Sequence, residues 1–466
     1  MLNKFVAVAI AAAAAAPISL AAAEDVEIEK VRKELKDLKD DYESRIRSLE
    51  ERLRAAESSS QTAPTASPPV PVSPAVTPSS GVVVPQSPAI PGLGSYTAGA
   101  VTANLSLSAL FAGGGSSVND AELANLQAGG HDPSRNGFTV QNVEVVLSGA
   151  VDPYFDGQAN LIFLIDSAGE TVVELEEAFA TTRSLPYGLQ VKAGQFFLEF
   201  GRQNQQHPHS WDFVDQPVIM SRLFGPDNLR SQGARISWLT PLPWYSELEV
   251  GANNAGGETL ASFLFVPGET VAGYTIIDRG GARAANDLLY NARWLNGGDV
   301  TDTVSVNVGL SGLRGPNGTG FQTFTEIYGA DLYLRWKPLR TERGFPFVAW
   351  QTEYMRRSYE AGDSDLPGSA RLRDRGYYTQ FLYGFRPRWV AGLRWEEVSS
   401  DDSTGSDPLR DNRKRLSVNT TWYPTEYSKL RLQYNRDDAQ HLTDEIAHGV
   451  WLQFEFNLGT HAAHKF

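Results

Sequence analysis

Val450-Trp451-Leu452-Gln453-Phe454-Glu455-Phe456-Asn457-Leu458 is the stretch that decides the fold. Successive side chains of an extended strand point to opposite faces. Val450, Leu452, Phe454, Phe456 and Leu458 therefore share one face, and Trp451, Gln453, Glu455 and Asn457 the other. The pattern recurs upstream. Leu430, Leu432 and Tyr434 alternate with Lys429, Arg431, Gln433 and Asn435. Leu416, Val418, Thr420 and Trp422 alternate with Arg415, Ser417, Asn419 and Thr421. Val304, Val306, Val308 and Leu310 alternate with Ser305, Asn307 and Gly309, and Leu105 and Leu107 with Asn104, Ser106 and Ser108. A soluble β-sandwich alternates too, but hides its apolar faces in a dry core and has fewer opposed charged ladders. One apolar and one polar face on strand after strand is what a closed barrel with lipid outside and water inside requires.

The connections sort into two classes. Short turns are expected at Asp152-Pro153-Tyr154, Leu185-Pro186-Tyr187, Pro241-Leu242-Pro243-Trp244, Gly297-Gly298, Pro338-Leu339, Arg386-Pro387-Arg388 and Tyr423-Pro424-Thr425. Longer connections are expected near 113–137, 167–171, 203–230, 256–286, 314–321, 360–370, 399–411 and 436–446. The alternation predicts an all-β transmembrane barrel over 95–466, with about 16 antiparallel strands and both ends on the short-turn side, which is the periplasmic side of such barrels.

With the polar face of each strand turned inward, the charges separate. Glu144, Glu174, Glu176, Glu247 and Glu249 belong to the first half of the chain, and Arg335, Arg371, Arg373, Arg375, Arg394, Arg413, Arg415, Lys429 and Arg431 to the second. These fourteen residues are the expected pore lining. Two readings stay open at this point. Either the walls oppose each other across water and set up a transverse field, or the charges pair locally and keep the interior polar.

The region before the barrel has different physics. Residues 1–23 carry Lys4, an apolar Ala-rich run and Ala21-Ala22-Ala23 before Glu24, the layout of a cleaved signal peptide. An uncleaved membrane anchor is the alternative reading, but the apolar run is short and weakly hydrophobic for a span. Over 24–57, Ile28, Val31, Leu35, Leu38 and Tyr42, then Ile46, Leu49, Leu53 and Ala56, trace an α-helical coiled-coil seam with a stutter after Tyr42. A stripe this narrow calls for partners, so a homotrimer is expected; a lone solvated helix is the alternative. Residues 58–94 hold nine prolines, Pro64 to Pro91, and no charge, which predicts an extended periplasmic tether. The chain has no cysteine, so an exported protein must be held together by its sheet. A net charge of −14 argues against nucleic acid as a partner.

Gly194-Gln195-Phe196-Phe197-Leu198-Glu199-Phe200-Gly201-Arg202 resembles the G-Q-F…F-G segment of the phosphate-selective porin family. That resemblance implies a sixteen-stranded channel that trimerises, and some barrels in that neighbourhood also carry a periplasmic coiled coil. His207-Pro208-His209-Ser210-Trp211-Asp212-Phe213-Val214-Asp215-Gln216-Pro217, with the W-L-T-P-L-P-W run from Trp238 to Trp244, is similar to uncharacterised proteobacterial barrels described as zinc-regulated, TonB-dependent outer-membrane receptors. Two features depart from these patterns. Energy-coupled receptors have a folded plug where this chain has a helix and a tether, and only part of a phosphate channel's arginine ladder is present.

Histidine supplies a separate reason to consider zinc. His207 and His209 sit two apart on a long expected connection, with Asp212 and Asp215 near, and His461 and His464 form an H-x-x-H in the tail. Imidazole and carboxylate at such spacing suit zinc; polar loop residues without a ligand are the plainer reading. No nucleophile is matched with a base, so no enzyme is expected. The leading expectation is an outer-membrane porin, embedded in outer-membrane lipid, passing small polar or charged solutes. A zinc-binding receptor or metal-uptake channel is the second. The third is a structural tether to peptidoglycan or periplasmic proteins.

Overall fold

The alternating segments close on themselves. The computed structural model describes residues 95–98, 101–127, 129–165, 169–362, 369–401 and 410–459, together with Lys36. The expected signal peptide, coiled coil and tether, and the tail pair His461 and His464, lie outside the described residues. Sixteen strands form the wall: β1 (Val101–Ser116), β2 (Gly137–Ala150), β3 (Phe155–Ile165), β4 (Thr171–Thr182), β5 (Leu189–Phe197), β6 (Arg230–Leu239), β7 (Tyr245–Asn254), β8 (Leu288–Thr301), β9 (Val304–Pro316), β10 (Phe324–Trp336), β11 (Phe347–Ala361), β12 (Ala370–Arg386), β13 (Trp389–Ser400), β14 (Arg413–Thr425), β15 (Ser428–Ala439) and β16 (Ile446–Gly459). Each pairs antiparallel with its sequence neighbours, and β16 returns to β1 through Gly449↔Ser116 to Gly459↔Ser106. Closure leaves no unpaired edge in the ring, which is what hydrocarbon demands of a spanning sheet. A short strand, Ser95–Ala98, pairs antiparallel with the start of β1. Among the described residues no helix is long and apolar enough to cross a membrane.

Fifteen connections alternate between the two ends of the barrel, seven at the end expected to carry short turns and eight at the other, but the lengths do not sort cleanly: 337–346 is longer than 166–170, 317–323, 362–369 and 440–445. Two expected turns move. Gly297-Gly298 stays inside β8, and the chain turns at Asp302-Thr303. Gly297 faces Asn307, whose amide fills the space a β-carbon would need, so this glycine serves close packing between strands. Tyr423-Pro424-Thr425 ends β14, with the reversal at Glu426-Tyr427. The register breaks between Trp422 and Thr425, where Pro424 cannot donate to the ladder. Aromatic side chains gather on the outer face near the short turns: Trp244 and Tyr187 are exposed, and Trp389 stacks on Trp422 at 6.1 Å. They form the interfacial girdle of a lipid-embedded barrel.

The inner face is not uniformly wet. Leu198, Phe200, Ile219, Met220, Leu223, Phe224, Leu260 and Phe263, from the connections 198–229 and 255–287, pack with wall residues Leu289, Leu313, Ile327 and Met355. This apolar cluster is a core placed inside the barrel, on the side of β8 to β13, toward the longer connections.

Candidate functional site

The segment 198–229, between β5 and β6, crosses the lumen from wall to wall. Its neck is closed by Leu198 N donating to Leu229 O (3.0 Å) and by Asn204, whose side chain donates to both carbonyls and accepts from Leu229 N (2.8 Å). Gly201 then turns with φ of 58°, pressed against Glu353 so that no side chain fits. Gly201 N donates to Ser311 Oγ (3.0 Å), Gln203 N to Glu353 Oε1 (2.7 Å), and the Arg202 guanidinium lies 3.8 Å over the Tyr333 ring.

The segment next meets β2 and β4. His207 Nδ1 lies 3.1 Å from Glu144 Oε1 and 2.8 Å from Glu176 Oε2, and His207 Nε2 lies 3.1 Å from Glu177 Oε2. His209 Nδ1 is 2.8 Å from Glu144 Oε2, and the two imidazoles stack at 5.7 Å. Burial opposes the charged imidazole of His207, but Glu144 and Glu176 outweigh it and hold its pKa well above the usual histidine value. Glu177 is a site residue that sequence reasoning missed. Glu174-Leu175-Glu176-Glu177 breaks period two, and the break is real: a bulge opposite Asn160 and Leu161 turns both adjacent carboxylates inward.

Beyond Ser210 the segment runs along the basic wall. Lys429 Nζ donates to His209 O (2.7 Å), Arg431 to Trp211 O (2.8 Å) and Asn419 to Asp212 O (3.0 Å). Gln380 donates to the Asp212 carboxylate (3.1 Å). Asp215 is wholly buried and accepts from Arg394 (2.5 Å), Arg415 (3.1 Å), Gln433 (2.9 Å), Asn435 (2.7 Å) and Gln127 (3.2 Å). Burial pushes its pKa up; Arg394 and Arg415 reverse that and hold the carboxyl well below the ordinary range. Glu396 caps the path by accepting from Val218 N (2.6 Å) at the start of α1 (Val218–Phe224). Asp132, on the connection between β1 and β2, accepts from Gln216 N (2.9 Å) and Gly129 N (3.0 Å). Its pKa is pushed up to about 7, by burial first and the Asp215 charge second.

The expected pore lining divides accordingly. Glu144, Glu174, Glu176, Glu247, Glu249, Arg335, Arg394, Arg413, Arg415, Lys429 and Arg431 stand on the inward-facing registers of their strands. Arg371, Arg373 and Arg375 do not. Leu372, Asp374 and Gly376 take the inward positions of β12, and the three arginines point outward, Arg371 to Glu360 (2.6 Å) and Arg373 toward Asp401 (3.8 Å). At 17 residues β12 exceeds the 9 to 11 that a bilayer needs, so its outer face there meets water, and polarity no longer marks the inside. The remaining charges are mostly paired at short range: Arg413 and Arg415 with Asp437 (2.6 and 2.8 Å), Lys429 with Glu455 (2.5 Å), Arg235 with Glu199 (2.7 Å). Nor do Asp212 and Asp215 join His207 and His209; they belong to the opposite wall.

This is the architecture of outer-membrane β-barrels, with the connection 198–229 folded across the lumen and part of 255–287 packed against it inside the barrel. The chain is 30% identical over 381 residues to an uncharacterised protein of Aquifex aeolicus (strain VF5), covering 76% of this chain and 77% of that protein, and it belongs to the same family. No family model matches. Among solved structures, the outer-membrane channel DcaP of Acinetobacter baumannii is similar with a TM-score of 0.50 at 12% identity, covering 78% of this chain and 100% of that one. OprB of Pseudomonas putida is similar with a TM-score of 0.49 at 12% identity, covering 77% and 94%. At such identity the likeness to DcaP is one of fold.

Proposed function

We propose that the protein is an outer-membrane porin giving passive diffusion of small polar or charged solutes, with residues 198–229 setting its constriction. The observation that carries this reading is a polar surface that stays in contact with water around the crossing segment. Inward-facing Gln158, Gln190, Glu247, Asn307 and Arg335 keep accessible area toward the short-turn end, and so do Arg202, Gln205, Ser210 and Asp212 on the segment itself. They make a vestibule of mixed charge whose floor is held by hydrogen bonds, which favours hydrated solutes over apolar ones. The homotrimer and the periplasmic placement of residues 24–94 belong to the same proposal, supported by the apolar seam from Ile28 to Ala56.

Planar-bilayer recording on the full mature chain tests it. Discrete conductance steps are expected, and larger ones after residues 205–213 are replaced by a short Gly-Ser link. Silence from both chains would sink the channel reading. Larger steps only in the shortened chain would mean that the crossing segment shuts the lumen rather than narrows it.

A further inference from the structure

The crossing segment brings nitrogen and oxygen ligands together where it meets the acidic wall. Ligand atoms of Glu144, Glu176 and His207 all lie within 4.8 Å of one another, and His209 reaches Glu144 from the other side. Glu144 and Glu176 are each 1% exposed. Burying two carboxylates side by side is costly without a compensating charge. His207 is the cation that faces them, and its hydrogen bonding to the pair is incomplete. His207 Nδ1 faces both Glu144 and Glu176, so a single N–H would have to serve two carboxylate oxygens. Neither Nδ1 of His207 nor Oε2 of Glu176 makes a well-directed hydrogen bond, although they stand 2.8 Å apart. Arg230 reaches only to 3.9 Å of Glu176.

We infer that Glu144, Glu176 and His207, with a water in the fourth position, form a binding site for a divalent first-row transition-metal cation, which pins the crossing segment to the acidic wall. Arms of about 2.1 Å at a tetrahedral angle separate ligand atoms by roughly 3.4 Å, close to the 2.8 and 3.1 Å found here. Mixed imidazole and carboxylate donors select zinc-like ions over magnesium and calcium, which prefer all-oxygen shells. Outer partners already orient two of the ligands: Asn160 Nδ2 donates to Glu144 Oε1 (2.6 Å), and Glu177 Oε2, itself held by Phe197 N, lies 3.1 Å from His207 Nε2. Such support is typical of metal ligands. Access comes from the vestibule, where His207 and His209 keep 14% and 11% of their side-chain surface.

The test is calorimetric titration of Zn²⁺ into the full mature chain in detergent, with Co²⁺ absorption as a second readout. The expected result is one ion per chain at micromolar affinity or tighter, and a visible Co²⁺ spectrum of the intense, four-coordinate kind. E176Q and H207A should each weaken binding by about tenfold or more, while H461A/H464A leaves it unchanged. Heat-modifiable gel mobility shows that each variant is folded, and the Co²⁺ spectrum of the unmodified chain stands even where a variant is not. Wild-type affinity weaker than millimolar overturns the assignment, as does binding that survives both E176Q and H207A or vanishes in H461A/H464A. Equal competition by Mg²⁺ would also overturn it. None of these readouts depends on conduction, so the channel reading and the metal site stand or fall separately.

Discussion

The crossing segment has two ends of opposite chemistry, and they are not equally secure. Its basic end, His207 and His209, rests on Glu144, Glu176 and Glu177; its acidic end, Asp212 and Asp215, rests on Arg394, Arg415, Lys429 and Arg431. Each end carries the charge its wall lacks, so the segment is a strap whose sequence of charges fits one orientation across the lumen. At the acidic end Asp212 keeps some contact with water, but Asp215 is dry and has five donors around it. The basic end keeps water access; badly directed polar atoms occur at both ends, His207 Nδ1 and Glu176 Oε2 at one and Arg394 Nε and Glu396 Oε1 at the other. Charge complementarity alone therefore does not set the strength of an attachment. The number of satisfied donors and the loss of water do, since a buried charge is tolerated only when its whole hydrogen-bonding capacity is met. The Asp215 end is the anchor; the His207 end can let go.

Breaking the anchor should have the largest effect. Asp215→Ala strands Arg394 and Arg415, both at most 1% exposed, without their shared acid. Loss of one member of a buried ion pair costs about 3–5 kcal/mol. Thermal unfolding of the purified barrel should show the loss, and conductance should rise as the segment detaches. A variant as stable and as narrow as the parent would mean the segment is held by its apolar cluster, not by Asp215.

At the other end, His207→Ala in the metal-free protein should cost less, about 1–3 kcal/mol, the usual price of leaving buried acceptors unsatisfied. Water from the vestibule can reach Glu144, Glu176 and Glu177 once the ring is gone, and no comparable path leads to Arg415. The ranking is what matters: if His207→Ala destabilises more than Asp215→Ala under the same conditions, the assignment of anchor and release is inverted.

Proton binding sets apart two neighbouring acids at the anchored end, Asp132 and Asp215. Asp132 stays protonated in the folded protein up to about pH 7, whereas an unfolded aspartate ionises near about 3.9. The folded state thus binds an extra proton between these values. Its contribution is complete below the unfolded pKa and is lost as pH rises through about 7. Asp215, held low, contributes in the opposite sense, above the ordinary aspartate value and lost in acid. A melting-temperature series from pH 5 to pH 8 should decline for the parent chain and flatten for Asp132→Asn. An unchanged slope in that variant would assign the decline to another group.

Much of the wall was legible in the sequence because each strand states its own inside and outside. The alternation from Val450 to Leu458 maps directly onto the inward Trp451, Gln453, Glu455 and Asn457. The strap was legible only as a long connection holding His207, His209, Asp212 and Asp215. Their partners come from strands far away in sequence, Glu144 on one side and Arg394 and Arg415 on the other, and no local period records that meeting. Adjacency in sequence misled as well: five residues separate His209 from a group placed with it on zinc-like spacing, yet Asp215 lies against the opposite wall. Gly297 shows a further limit, since a glycine required by a neighbouring Asn307 looks the same in sequence as one required by a turn.

The smallest effect is expected outside the barrel, and it sharpens the rule that only inward charges touch the solute path. Arg371, Arg373 and Arg375 lie on the outer register of β12, and Arg371 and Arg373 are 56% and 49% exposed in their partnerships with Glu360 and Asp401. Exposed pairs of this kind contribute about 0–1 kcal/mol each. Replacing all three by alanine should leave conductance and the reversal potential in a salt gradient unchanged, with at most a slight loss of thermal stability. Arg335→Ala is the matched control. Its guanidinium faces inward beside the Phe347 ring, on the wetted part of the lumen, and removing that cation should shift the reversal potential toward cation preference. A shift in the triple variant as large as that of Arg335→Ala would place the β12 arginines on the solute path after all, and with them the polar-face-inward reading that the register of β12 contradicts.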